Sequence, residues 1–146
     1  MKAGILVALA IAITGQVLYH VTQKSVSASA HPVVSLLAFY LVAALLTLPL
    51  FWVFPMQASV VEELGKLNWA VYGVAASIVL IEIGFLLAYR AGAELSSAFV
   101  LTSAVVTVST LLIGLAFFSE AISTTKIAGI TLCLCGIGLI SWKTAA

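Results

Sequence analysis

Long apolar runs separated by short polar clusters dominate the 146-residue chain. Charged and turn-forming residues divide it into five apolar segments, at about 4–23, 33–54, 67–89, 96–118 and 126–142. At about 1.5 Å per residue each crosses roughly 30 Å of hydrocarbon as an α-helix, the last of them only just. Strands of a membrane barrel would alternate apolar and polar positions in pieces of about 10 residues. The stretch from Val100 to Leu115 shows no such alternation. The pattern predicts an all-α membrane protein of five transmembrane helices, a single domain over residues 1–146, because a helix satisfies its own backbone where water is absent. Trp52, Trp69, Tyr89 and Trp142 fall near the span ends, where amphipathic rings favour the headgroup level. Residues 56–66, with Glu62 and Glu63, read as a surface loop or interfacial turn. Pro49 and Pro55 mark where the second span loosens or stops.

Composition agrees with the pattern and removes other classes. The chain is 64% hydrophobic and 8% charged, with a mean hydropathy of +1.28. Soluble domains carry about 25% charged residues. Six basic against five acidic residues give a net charge of +1 with no basic stripe, which excludes nucleic acid as a partner. Cys133 and Cys135 lie two apart, about 200° around a helix, and read as small packing residues. Lys2, an apolar stretch and Ala28-Ser29-Ala30 imitate a signal peptide with its cleavage site. Against that, Tyr19, His20, Gln23 and Lys24 make the region before the cut long and polar, so the first segment is expected to stay as a span. Five spans put the termini on opposite sides. Lys2, Lys66 and Lys126 then collect on one side and Lys24, Arg90 and Lys143 on the other, an even division that leaves orientation undecided. Either copies insert both ways and pair antiparallel, or one orientation wins through a terminal lysine.

Polar residues inside the spans are the candidate chemistry. Glu82 lies thirteen residues from Trp69 and eight from Arg90, about 20 Å and 12 Å along a helix. A mid-span carboxyl costs about 2.5–3.5 kcal/mol on insertion scales. Burial disfavours its charged form, which suits a group that gains and loses a proton or exchanges it for a cationic substrate. The alternative is a protonated carboxyl bonded to a neighbouring hydroxyl, or one that reaches water near Arg90. Phe85 and Tyr89 share the Glu82 face. In the first span Gln16, Tyr19, His20 and Gln23 form one polar stripe, either an access route facing a cavity or a set of interhelical hydrogen bonds. Ser103, Thr107, Thr110 and Gly114 fall on one face of the fourth span, as close packing or as a cavity wall. Gly129, Cys133 and Gly136 give the fifth a narrow small-residue face for helix or subunit contact. With no Asp, no His-Glu-x-x-His, no phosphate-binding glycine loop and no serine elbow, no enzyme, metal site or cofactor is expected.

Several short motifs in this order resemble the drug/metabolite transporter superfamily. The segment Gly84-Phe85-Leu86-Leu87-Ala88-Tyr89-Arg90-Ala91-Gly92-Ala93-Glu94-Leu95-Ser96-Ser97-Ala98-Phe99 is similar to its Ala-rich helix, short loop and Ser/Ala helix start. Leu115-Ala116-Phe117-Phe118-Ser119-Glu120-Ala121-Ile122-Ser123 resembles its Phe-x-Glu-x-Leu/Ile-Ser loop. Ala128-Gly129-Ile130 and Gly136-Ile137-Gly138 resemble its final glycine-spaced helix, and Lys24 and Pro32 also fit the EamA-like domain. The resemblance implies half of a ten-helix inverted repeat, completed here by an antiparallel homodimer, in a bacterial or archaeal cytoplasmic membrane. The small multidrug-resistance branch is similar in pairing antiparallel, and it carries an essential Glu eight residues before a Lys. This chain has Gln16 before Lys24, so that role does not transfer to Gln16. EamA-like proteins often carry an Arg in the second helix, where this chain has Tyr40.

The expectation is a secondary transporter of a small metabolite or a cationic or amphipathic compound, working by alternating access. Glu82 is the expected substrate and proton-coupling residue, and Gln16, Tyr19, His20, Tyr40, Phe85, Tyr89, Ser103 and Thr107 are expected to line the pocket. Aromatic rings beside one carboxylate suit a cationic amine. The alternatives are a non-transporting membrane subunit, or a flippase subunit for a lipid or lipid-linked sugar.

Overall fold

The computed structural model describes residues 3–118 and 123–142, and their side chains except those of Lys126 and residues 140–142. Lys2, Lys143 and residues 119–122 of the loop motif lie outside the described residues, as does the Trp142 side chain. Among the described residues every regular element is an α-helix: α1 (Ala3–Lys24), α2 (Pro32–Thr47), α3 (Leu50–Val53), α4 (Val60–Gly65), α5 (Ala70–Arg90), α6 (Leu95–Phe118) and α7 (Thr124–Trp142). Four stretches, Ala3–Lys24, Pro32–Val53, Ala70–Arg90 and Leu95–Phe118, are long and apolar enough to cross a membrane. Within α7 the apolar stretch Ile127–Leu139 is shorter. Four or five helices of this kind make a multi-pass integral membrane protein.

Local chemistry sets the helix ends close to the expected boundaries. Pro32 occupies the first turn of α2, where its missing N–H is no loss, and Ser35 N–H bonds back to the His31 carbonyl at 3.0 Å. Pro49 divides the second span: α2 stops at Thr47, α3 resumes at Leu50, and Pro55 follows the end of α3. The expected loop at 56–66 is in part a helix. Ser59 Oγ accepts from Glu62 N–H while the Glu62 carboxylate accepts from Ser59 N–H, a reciprocal cap that starts α4. Lys66 closes its far end with an exposed ion pair to Glu63 at 2.7 Å. The Asn68 side chain then accepts from Ala70 N–H at 3.0 Å and opens α5. That helix ends at Arg90, and Gly92, two residues on, takes a φ of +94° in the left-handed region.

The chain divides into two compact units, Met1–Val21 with Gly92–Ala146, and Thr22–Ala91. In the first, α6 packs against α7, and Ala104, Gly114 and His20 are buried. In the second, α2 packs against α5, and Leu36, Leu86 and Tyr89 form the apolar core with Gln23 and Ser35 buried beside it. Leu86 is fully buried. Apolar side chains elsewhere stay exposed along the spans, Ile11, Leu46, Leu80 and Val105 among them, as a chain solvated by hydrocarbon requires. Trp52 and Trp69 are exposed near span ends. Tyr89 departs from the belt expected for it, being 8% exposed.

Gly92 offers a clean test of the α5–α6 turn. A Cβ built there meets nothing within 4 Å, so only the backbone conformation resists substitution. Gly92→Ala is expected to destabilise the protein by about 1 kcal/mol, and Gly92→Asn by less, in unfolding measurements on detergent-solubilised protein.

Candidate functional site

The second unit assembles its polar groups around Glu82. The last turn of α1 carries Gln23, which is 4% exposed. Its Nε2 donates to the Glu82 backbone carbonyl at 3.0 Å and to Glu82 Oε2 at 3.1 Å. Both amide hydrogens are therefore committed to one residue of α5. The amide is uncharged, so this contact fixes the carboxylate without neutralising it. From α2, the Tyr40 hydroxyl is an electrostatic neighbour of Glu82. That hydroxyl is buried and has no hydrogen-bond partner among the described residues. Glu82, Gln23 and Tyr40 thus come from three helices, although the sequence places them far apart.

Aromatic rings continue from this cluster towards the Lys24 end. Phe85 stacks on Tyr89 with centroids 5.9 Å apart and planes inclined by 26°. The Lys24 ammonium stands 5.9 Å from the Tyr89 centroid, within cation–π range. An internal cation therefore occupies the ring expected to receive a substrate amine. Arg90, one residue further, donates from NH2 to the Ser27 carbonyl at 3.1 Å and ties the α1–α2 loop to the end of α5.

The remaining predicted pocket residues lie in the first unit. A groove with a volume of about 440 Å³ runs between α1 and the start of α6. Ile13, Val17 and Val21 line it from α1, Leu95 and Phe99 from α6, with Gln16, His20 and Ser96 as its polar members. The His20 imidazole is held edge-on between Tyr19, with centroids 4.9 Å apart, and Phe99, at 4.8 Å. Gln16 is exposed and belongs to the first unit, and the amide that donates to Glu82 in the second is that of Gln23. Ser103 and Thr107 turn their hydroxyls onto the carbonyls of Phe99 and Ser103, both at 2.7 Å. Such back-bonding satisfies a hydroxyl inside its own helix without a cavity. Around Gly129 and Gly136 the space is open, and Cys133 is exposed. Among the described residues no group of His, Cys and Glu side chains could hold a metal ion.

Two contributors escaped the sequence reading of the site. Gln23 was visible as a member of the polar stripe, but the stripe did not say which of its amides meets Glu82. Lys24 enters the sequence analysis as an orientation charge and as a residue that fits the EamA-like domain, not as a member of the site, though its position one residue after Gln23 is a signal. Compared with family models, curated proteins and solved structures, the chain matches none.

The Gln23–Glu82 contact predicts an asymmetric mutational response. Gln23→Leu removes the donor while leaving the carboxyl, and is expected to cost about 1–2 kcal/mol. Adding Glu82→Leu removes the acceptor side chain as well and is expected to recover most of that loss, as read from a double-mutant cycle of unfolding in detergent.

Proposed function

We infer that the protein is a secondary membrane transporter whose binding and coupling group is Glu82. The observation that carries this reading is a carboxyl within a span, fixed by the neutral Gln23 amide in a unit that also buries the Tyr40 hydroxyl. A group so held keeps its affinity for a positive charge, either a proton or a protonated amine, and one charge displaces the other. The substrate class that follows is a small cationic or amphipathic amine. Phe85 supplies a ring on the Glu82 face, and Lys24 withdraws from Tyr89 when a larger cation arrives. The resemblance to EamA-like domains and the even division of basic residues support an antiparallel homodimer with alternating access, in a bacterial or archaeal cytoplasmic membrane.

A second reading is a non-transporting membrane subunit. The direct bond between α1 and α5 favours it, because Gln23 and Glu82 then serve as interhelical glue.

Ethidium uptake into proteoliposomes under an imposed pH gradient separates the two. The expected result is uptake by the wild type that falls at least about ten-fold in Glu82→Gln. Equal, equally coupled transport by that variant would overturn the role of Glu82. A protein that moves nothing and holds one fixed orientation, shown by labelling cysteines introduced at both termini in whole cells, would support the second reading.

A further inference from the structure

The end of the second unit where α1 and α5 finish gathers hydrogen-bond donors and positive charge. Arg90 is the only arginine of the chain and closes α5. Its Nη2 donates to the Ser27 carbonyl at 3.1 Å, while its Nε is buried and has no partner. A guanidinium carries five N–H groups. With one given to Ser27 and one buried, the three that remain lie on Nη1 and Nη2, and Nη1 reaches the surface without a partner.

A backbone carbonyl aims this fork without neutralising it. No ion pair joins Arg90 to any described residue. Glu94, the nearest acid in sequence, accepts from the Ser97 hydroxyl at 3.1 Å. Glu82 lies eight residues deeper on α5, about 12 Å along the helix. The carbonyl end of α5 itself supplies only about half an elementary charge. The guanidinium charge is therefore left largely unanswered within the described residues.

The α1–α2 loop that holds the guanidinium also carries a pair of hydroxyls. Ser27 Oγ and Ser29 Oγ stand 2.8 Å apart and exposed. One hydroxyl hydrogen makes that bond, and the other is left to donate. Lys24, three residues before Ser27, brings a second positive charge to the same end, 5.9 Å from the Tyr89 centroid. Guanidinium, hydroxyl and ammonium are all donors, and they lie where two spans end, at the level of lipid headgroups. A carboxylate matches the arginine fork but spends both oxygens on it. A phosphate monoester matches the fork equally well and keeps a third strong acceptor oxygen for the serine.

We propose that Arg90 and the Ser27–Ser29 hydroxyl pair bind one phosphate monoester. Two of its oxygens face the guanidinium fork and the third accepts the free hydroxyl hydrogen, while Lys24 adds charge. The site takes nothing from Glu82 and does not require that the protein transport anything.

A single arginine makes the test direct, because phenylglyoxal condenses with guanidinium groups and a phosphate on Arg90 blocks it. Modification of Arg90 is followed by peptide mass spectrometry in phosphatidylcholine nanodiscs containing dioleoylphosphatidate, oleate at the same surface charge, or neither with millimolar inorganic phosphate. The expected result is modification about ten-fold slower with phosphatidate than with oleate. Ser27→Ala/Ser29→Ala removes two exposed hydroxyls, so the fold is kept, and most of that difference should be lost. Lys24→Gln should weaken protection by both anionic lipids, and Glu82→Gln should change neither rate. Protection by inorganic phosphate as strong as by phosphatidate would support the site and assign its ligand to a soluble phosphate compound; protection by phosphatidate alone would assign it to a lipid. Equal protection by oleate and phosphatidate, no protection by either phosphate, or full protection by phosphatidate in the double serine variant would overturn the proposal.

Discussion

Hydrocarbon offers no hydrogen bonds, and most of this structure is a response to that constraint. Each backbone N–H and C=O must be satisfied within its own segment, which is why every described element is a helix. The same demand falls on side chains. Threonine and serine hydroxyls in the spans return to their own helix, and Gln23 crosses to Glu82 with both of its amide hydrogens. Polar groups at the ends have more freedom. Arg90 captures a loop carbonyl and Lys24 rests on a ring, both close to where water begins.

This partition arranges charge along the second unit. Its basic groups Lys24 and Arg90 gather at one end of the α1 and α5 helices, while the acid lies about two turns deeper on α5. Between them along α5, Phe85 stacks on Tyr89. Gln23 fixes the direction of the Glu82 side chain from α1.

Helix positions were legible in the sequence because long apolar runs admit few alternatives. The expected segments at 4–23 and 96–118 differ by at most one residue at each boundary from Ala3–Lys24 and Leu95–Phe118. The division at Pro49 was legible as well, since proline removes a donor at a fixed place. The α4 helix was missed although Ser59-Val60-Val61-Glu62 carried the capping pattern, because two glutamates in a short connection look solvated. Glu82 stood out by cost alone. Its partner did not, because helical periodicity assigns Gln16, Tyr19, His20 and Gln23 to one stripe without saying where along the helix a neighbour's carboxyl will lie. Tyr89 illustrates the same limit. A tyrosine near a span end reads as an interface anchor, but this ring is buried, stacked on Phe85 with a lysine of another helix beside it.

The division into two units also bears on how the protein is made. Thr22–Ala91 is continuous in the chain, and the Gln23–Glu82 bond within it spans 59 residues. The other unit joins the start of α1 to α6 and α7, which are synthesised last. The continuous unit can close its polar cluster as soon as α5 has entered the bilayer. The first nineteen residues of α1, by contrast, wait through most of translation for their partners.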